Sequence, residues 1–275
     1  MANLETVDLA RILTGDSQVK QKLYDAATRP GAFFLDLKSS GADIQYALAV
    51  KLKDFREDQP ASSDRGYKSS DCDETFEFAD DEPLRDDSRL LPILQGESDL
   101  VRQFNKLCHA AALNMLSSLS DSLRLESDKR FEAHYRTTDS SDTGLKLIYE
   151  PSLVKIADVV KNKHTGSGAF NLLFHEQVGL HVYLPEQNRW EFSAIPAPGC
   201  TLVTAADFLQ RLSASQFYLL PLHRVPQPRD GAGKRYFLSY FLRPSHTTKP
   251  HGVKRRRIVS QFGPAVRHPD EQIFP

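Results

Sequence analysis

The second half of the chain, from Gly144 onward, consists of short apolar segments separated by turn-forming residues, and this pattern constrains the fold most. The segments read LKLIYEP, FNLLF, GLHVYL, RWEFSAI, CTLVTAADFLQRL, LPLHRVP and RYFLSYFLRP. Period-two alternation over a few residues, bounded by proline or glycine, is typical of strands that bury one face. Many such strands in succession predict a β-sandwich or a jelly roll.

The first half predicts helices that pack on one face of that β-structure. VKQKLYDAA follows the capping stretch TGDSQ, a second helix is expected over Ala42–Phe55, and the longest over Glu97–Leu125, where apolar residues recur at helical spacing. GAFFLDL reads as a strand. The polar, proline-broken stretch Arg56–Arg89 is predicted to be mostly irregular, with one short strand at TFEF.

The fold class is therefore mainly β with α-helices, a β-sandwich or a jelly roll buttressed by N-terminal helices. We expect three segments along the chain. Residues 1–130 form the helical N-terminal region, residues 131–246 the jelly-roll core that carries the site, and residues 247–275 a C-terminal extension.

Composition excludes several classes of function. Lys and Arg number 35 against 36 Asp and Glu, so no overall field attracts nucleic acid or an anionic membrane. The cysteines, Cys72, Cys108 and Cys200, have no CxxC spacing, which argues against a disulfide framework and a structural zinc site. With neither a signal peptide nor a membrane span visible, we expect a cytoplasmic protein that binds a small-molecule substrate; the oligomeric state stays open.

Two histidines and an arginine are the candidate site residues. His164 precedes the strand FNLLF, His223 lies in LLPLHRVP, and Arg235 begins the apolar strand RYFLSYFLRP. A lone histidine near an apolar strand is usually structural, but a buried arginine needs an anionic partner and prefers a planar carboxylate. By contrast, His175 and Glu176 in FHEQVGLH are expected in a solvated loop.

These residues, with the segments around them, resemble the iron(II)- and 2-oxoglutarate-dependent oxygenases, in the branch related to isopenicillin N synthase. HTGSGAFNLLF, VGLHVYLPEQNRWEF, LHRV and RYFLSYFLRP follow the family in order, and VDLARIL and GAFFLDL resemble its N-terminal region. The resemblance implies a double-stranded β-helix that binds Fe(II) and 2-oxoglutarate. It implies that His164 and His223 are metal ligands, and that Arg235 binds the far carboxylate of the co-substrate.

The chain departs from the family at several site positions. Gly166 stands where the family has the metal-binding carboxylate, and Phe237 stands where it has a serine beside the clamp arginine. Ile148 and Glu150 replace polar positions that help to hold the co-substrate in related plant enzymes. Glycine offers no donor atom, so iron would keep two protein ligands and gain an open position. In halogenases of the superfamily a small residue there leaves room for chloride.

Three kinds of function stay open at this point. The first is a non-heme iron oxidoreductase of the 2-oxoglutarate-dependent type that tailors a small organic molecule in specialised metabolism, with a chloride-using halogenase as a special case. The second is a metal-independent isomerase or cyclase, in which His164, His223, Tyr149 or Glu150 serve as acid–base groups. The third is a non-catalytic binding protein on the same fold. Glu150 is also a candidate partner for a buried cation, or an oxygen ligand to the metal.

Overall fold

A computed structural model describes residues 1–40, 66–69, 74–79, 94, 96–135, 140–150, 168–177, 180–184, 187–213, 223–224 and 235–248. The predicted helix over Ala42–Phe55, most of the stretch expected to be irregular, and the tail beyond residue 248 lie outside these residues. The side chains of Tyr67 and Glu150 are likewise outside the description.

An eight-stranded sheet forms the larger layer of the fold, in the order β1-β2-β9-β6-β11-β5-β4-β3. Its strands are β1 (Thr6–Asp8), β2 (Ala32–Asp36), β3 (Gly66–Ser69), β4 (Glu74–Ala79), β5 (Gly144–Glu150), β6 (Phe170–Phe174), β9 (Cys200–Ala205) and β11 (Arg235–Leu242). All neighbouring pairs are antiparallel except the parallel pair of β1 and β2.

A second, three-stranded sheet has the order β10-β7-β8 and is antiparallel throughout. Its strands are β7 (His181–Leu184), β8 (Arg189–Phe192) and β10 (His223–Arg224). Leu180, Val182 and Leu184 pack in one buried apolar cluster with Phe34 of β2 and Leu202 of β9. The two sheets therefore face each other across an apolar core, as expected of the predicted jelly roll.

Helices cover the other face of the large sheet. They are α1 (Leu9–Leu13), α2 (Ser17–Thr28), α3 (Ser98–Ser122) and the short α4 (Asp207–Leu212). Asp16 caps α2 by accepting hydrogen bonds from the backbone of Gln18 and Val19. Phe104, Ala111, Met115 and Leu119 of the apolar stripe of α3 are buried, and Leu100 and Leu107 are partly buried. Phe104 packs edge-on against Phe174 of β6 with ring centroids 5.0 Å apart. The prediction that this stripe is core is confirmed.

The sequence pattern located the described strands well. Every apolar segment quoted from Gly144 onward contains a strand, and GAFFLDL and TFEF became β2 and β4. Because β1 to β4 join the large sheet, the region expected to be helical also supplies four of its strands.

No helix among the described residues is long and apolar enough to cross a membrane. In the described part of the chain, the buried Cys108 and the partly exposed Cys200 are not in disulfides, and Cys72 lies outside the described residues.

Candidate active site

His223 faces the space between the two sheets. On β10 it pairs with Val182 of β7, and directly opposed residues of an antiparallel pair lie on the same face. Val182 is fully buried in the core between the sheets, and His223 is only 7% exposed. The small sheet therefore presents an inward-facing imidazole, at the position where the sequence predicted a metal ligand.

Arg235 and Phe237 face the same interior from the large sheet. They alternate along β11 with Leu238 and Tyr240, which pack in the core on the helix-covered face. Arg235 and Phe237 are each 4% exposed, and the guanidinium carbon lies 5.7 Å from the centroid of the phenyl ring. The predicted clamp is thus a buried cation in contact with an aromatic ring.

Strand β5 pairs with β11 and lies next to Arg235 in the large sheet. Ile148 pairs with Phe237 and Glu150 with Arg235, so the family's polar positions on β5 lie opposite the arginine and its neighbour. Ile148 offers no hydrogen bond, and the Glu150 backbone lies at the register position facing the buried cation. The candidate role of Glu150 as a partner for that cation remains a prediction, because its side chain is not described.

Tyr149 lies on the opposite face of β5. It is 1% exposed, belongs to the core beneath the helices, and packs against Tyr236 with ring centroids 5.1 Å apart. The sequence hypothesis that Tyr149 is an acid–base group required it to share a cavity with the histidines. The pleat of the strand places it away from the inward face of Arg235 and Phe237, so its position argues against that role.

His175 is buried beside this site, so the expectation of a solvated position was wrong for this residue, whereas Glu176 is exposed as expected. The residue directly follows β6 and is 8% exposed, with its ring centroid 6.0 Å from that of Phe237. Its Nδ1 lies 2.7 Å from the carbonyl oxygen of Gln177, which can only accept, so Nδ1 carries the proton. Burial lowers the pKa of His175, an effect that this hydrogen bond partly opposes.

A signal for His175 was present in the sequence. Strand alternation continued by one residue places His175 on the same face as Leu173, which packs against the core between the sheets. The polar residues His175 and Glu176 favour a turn, so the predicted strand FNLLF ends at Phe174. The sequence pattern therefore did not predict that His175 is buried.

His164 and Gly166 lie outside the described residues, so their predicted roles stay predictions. The chain is described again from Gly168, whose backbone N–H donates to the Asp207 carboxylate over 3.3 Å. The next residue, Ala169, donates its N–H to the carbonyl oxygen of Leu242. These contacts tie the start of β6 to the end of β11, far along that strand from Arg235.

Metal binding depends on residues outside the description. Among the described residues, no group of three His, Cys, Asp or Glu side chains could hold a metal ion. His223 has the chemistry of a transition-metal ligand and the inward orientation that such a role needs. His164, the predicted second imidazole ligand, lies outside the described residues, so the pairing of His223 with His164 at a metal remains a prediction.

Comparison with known proteins identifies relatives of this chain. No family model matches the chain. The chain is 30% identical over 90% of its length to the 2-oxoglutarate-dependent dioxygenase FG08081 of Gibberella zeae, and covers 81% of that protein. It is 29% identical over 94% of its length to the 2-oxoglutarate-dependent dioxygenase frbH of Dothideomycetidae sp. (strain 11243), covering 88% of it.

Solved structures share the fold. A full-length Neurospora crassa protein, crystallised in complex with alpha-KG, superimposes with a TM-score of 0.73 at 21% identity, over 91% of this chain and 87% of that one. The auxin dioxygenase AtDAO1 of Arabidopsis thaliana, as its complex with 2-oxoglutarate, gives 0.73 at 15% identity, over 89% and 94% of the two chains. At such identities the likeness shows the fold, a jelly roll with flanking helices.

Proposed function

We propose that this protein, which belongs to the 2-oxoglutarate-dependent dioxygenases, is an Fe(II)-dependent oxidoreductase that uses 2-oxoglutarate to oxidise a small organic molecule. The observation that carries the proposal is the buried guanidinium of Arg235 on the inward face of β11. His223 faces the same interior from the other sheet. A guanidinium on this face can bind a carboxylate through two parallel hydrogen bonds.

The chain's residues take the following roles in this proposal. His223 and His164 would bind Fe(II) through neutral imidazole nitrogens, and Gly166 leaves a coordination position without a protein ligand. Arg235 would hold the distal carboxylate of 2-oxoglutarate through two parallel N–H donors. Fe(II) with 2-oxoglutarate supplies the activation of dioxygen that oxidation of a C–H bond requires.

The apolar surroundings of Arg235 favour this assignment. The buried Phe237 and the partly buried Ile148 occupy paired cross-strand positions on the arginine's face and limit the access of water to it. Ionic hydrogen bonds are stronger where water is excluded, since the local dielectric is low. A carboxylate that reached Arg235 would therefore bind tightly although the serine of the family is absent.

The proposed function includes a class of substrate. We infer a small organic molecule of specialised metabolism, because oxidative tailoring is the usual work of the branch that the motifs resemble. The Neurospora crassa neighbour, which shares this fold, has been solved with alpha-KG and thymine together.

Binding of both cofactors tests the proposed function. Fe(II) and 2-oxoglutarate, added anaerobically to the purified wild-type protein, are expected to give a visible charge-transfer absorption that a chelator abolishes. Consumption of 2-oxoglutarate in air should then depend on added iron. A protein that binds neither, or that turns over substrate in the presence of the chelator, would support the metal-independent or non-catalytic alternatives.

Replacing Gly166 with aspartate is expected to tighten Fe(II) binding, by about tenfold or more, because a third protein ligand enters the coordination shell. The measurement is an anaerobic Fe(II) titration. Gly166→Asn is the matched control, since it has nearly the same size with a weaker neutral donor. An aspartate variant that binds iron no better than the asparagine variant would show that residue 166 does not face the metal.

The same pair of proteins tests the halogenase hypothesis. Chloride is expected to shift the charge-transfer absorption of wild type and to leave that of Gly166→Asp unchanged, because the carboxylate fills the open position. Absence of a chloride effect in wild type would assign the open position to another ligand and leave an oxygenase.

A further inference from the structure

His175 carries a buried polar atom without a hydrogen-bond partner. Its Nε2 is buried and makes no hydrogen bond in the described part of the protein, while Nδ1 bonds the carbonyl oxygen of Gln177. A buried, unsatisfied ring nitrogen costs free energy, on the order of 1–3 kcal/mol in similar cases, unless a ligand satisfies it. The residue is 8% exposed, so bulk water does not reach it readily.

The strand register brings this nitrogen to the wall that holds Arg235. The pairing of β11 with β6 ends at Leu238 and Phe174, and one further step along both strands brings His175 opposite Phe237. The ring contact between His175 and Phe237 agrees with that extension. Arg235 lies two residues before Phe237 on the same face, so His175 and Arg235 are diagonal neighbours about 7–8 Å apart at the backbone.

We propose that His175 is a positioning residue for the co-substrate, and that its Nε2 hydrogen-bonds the distal carboxylate of 2-oxoglutarate beside Arg235. This rests on the proposed function. In the family a serine two residues after the arginine makes such a contact, but here that position is Phe237, which has no polar atom. The imidazole approaches from the neighbouring strand, on the same face of the sheet, and supplies the missing donor.

Proton balance gives the proposal a measurable consequence. In the ligand-free protein Nδ1 holds the ring proton, and a carboxylate oxygen can only accept. Nε2 must therefore gain one proton from solvent when the carboxylate binds, and the ring becomes an imidazolium. Among the described side chains, Arg235 on β11 and His223 on β10 are the charged and titratable groups that face this region, and Glu150 on β5 is the strand partner of Arg235. Arg235 disfavours the added proton, and the bound carboxylate favours it.

The neutral ring in the free protein follows from burial. Because burial lowers the pKa of His175, the ring is uncharged at and above neutral pH before the ligand arrives. A bound anion raises that pKa, so proton uptake accompanies binding, and 2-oxoglutarate binds more weakly as the pH rises.

The experiment compares two 2-oxo acids of equal chain length. Fe(II)-loaded wild type, His175→Ala and His175→Gln are titrated anaerobically with 2-oxoglutarate and with 2-oxopentanoate, which lacks the distal carboxylate. The alanine variant is expected to bind 2-oxoglutarate about 10- to 100-fold more weakly, the loss typical of one hydrogen bond to a charged group. Its affinity for 2-oxopentanoate should stay unchanged. Glutamine, whose amide can donate, should restore most of the 2-oxoglutarate affinity.

Calorimetry in two buffers of different ionisation enthalpy counts the protons. Wild type is expected to take up about one proton per 2-oxoglutarate near neutral pH, and the glutamine variant none. If the alanine variant does not fold, the 2-oxoglutarate affinity of the glutamine variant and this proton count test the role of His175. Equal 2-oxoglutarate affinity in all three proteins, an equal loss for both 2-oxo acids, or the same proton count in wild type and His175→Gln would overturn the role of His175 and leave the proposed function intact. A wild-type protein that binds no 2-oxoglutarate would overturn both.

Discussion

Replacing Arg235 with alanine is expected to weaken 2-oxoglutarate binding by about a hundredfold or more, the effect of removing one partner of a buried ion pair. Arg235 is 4% exposed and faces the interior between the sheets, where no bulk water can substitute for its guanidinium. Arg235→Lys should recover only part of the affinity, since an ammonium group cannot make two parallel bonds to one carboxylate.

The measurement is an anaerobic titration of the Fe(II)-loaded protein with 2-oxoglutarate. Arg189→Ala is the matched control, because Arg189 lies at the start of β8 with 61% of its side chain exposed. This control should bind 2-oxoglutarate like wild type. If the alanine variant at residue 235 kept wild-type affinity, the co-substrate would bind elsewhere and the proposed role of Arg235 would be wrong.

The second large effect is expected at Gly168, where alanine should destabilise the protein by about 3–5 kcal/mol, a large part of a typical domain's stability. Gly168 has a φ of +98°, which side-chain-bearing residues rarely adopt, and a Cβ there would lie 2.3 Å from the carbonyl oxygen of Leu242. That carbonyl accepts the N–H of Ala169, so it cannot move without loosening the join of β6 and β11.

Gly15→Ala is the control that separates the cost of the clash at Gly168 from the cost of the backbone conformation. Gly15 has a similar φ of +81°, but a Cβ at that position meets no atom within 4 Å. The Gly15 variant should therefore lose only the backbone term, about 1–2 kcal/mol. Urea unfolding of both variants measures the difference. Equal losses at the two positions would show that the start of β6 can shift to accept a side chain.

Short apolar runs bounded by turn residues predicted the described strands, and β2, β6 and β9 are buried on both faces. The two-residue alternation of β11 correctly gave Arg235 and Phe237 a common face. The helical stripe predicted α3 because its apolar residues recur on the side that packs against β6. These features are local, so a single sequence carries them.

Long-range packing explains what the sequence did not reveal. Tyr149 was chosen for its chemistry, yet the pleat of β5 turns it into the core beneath the helices. His175 was read as solvated because its neighbours are polar, and only the pairing of β6 with β11 shows that Phe237 covers it. The close approach of Gly168 to Leu242 joins residues 74 positions apart in the chain (242 − 168 = 74), and no local pattern encodes it.

The resemblance to a family identified more of the candidate site residues than strand alternation did. Alternation alone could not separate a structural histidine from a ligand at His223, whereas the order of motifs pointed to both histidines and to Arg235. The roles of His164 and Gly166, which precede the described start of β6, rest on that order of motifs and on the family membership.

The central claim is that His164 and His223 hold one iron ion in the barrel whose interior also contains Arg235. The most direct test is an anaerobic titration with Fe(II) and 2-oxoglutarate, followed through the visible charge-transfer absorption, on wild type, His164→Ala and His223→Ala. His246→Ala, in which a half-exposed histidine is removed, is the control. We predict that the absorption forms in wild type and the control and is lost when either His164 or His223 is replaced. Full absorption in His164→Ala or His223→Ala would contradict the claim.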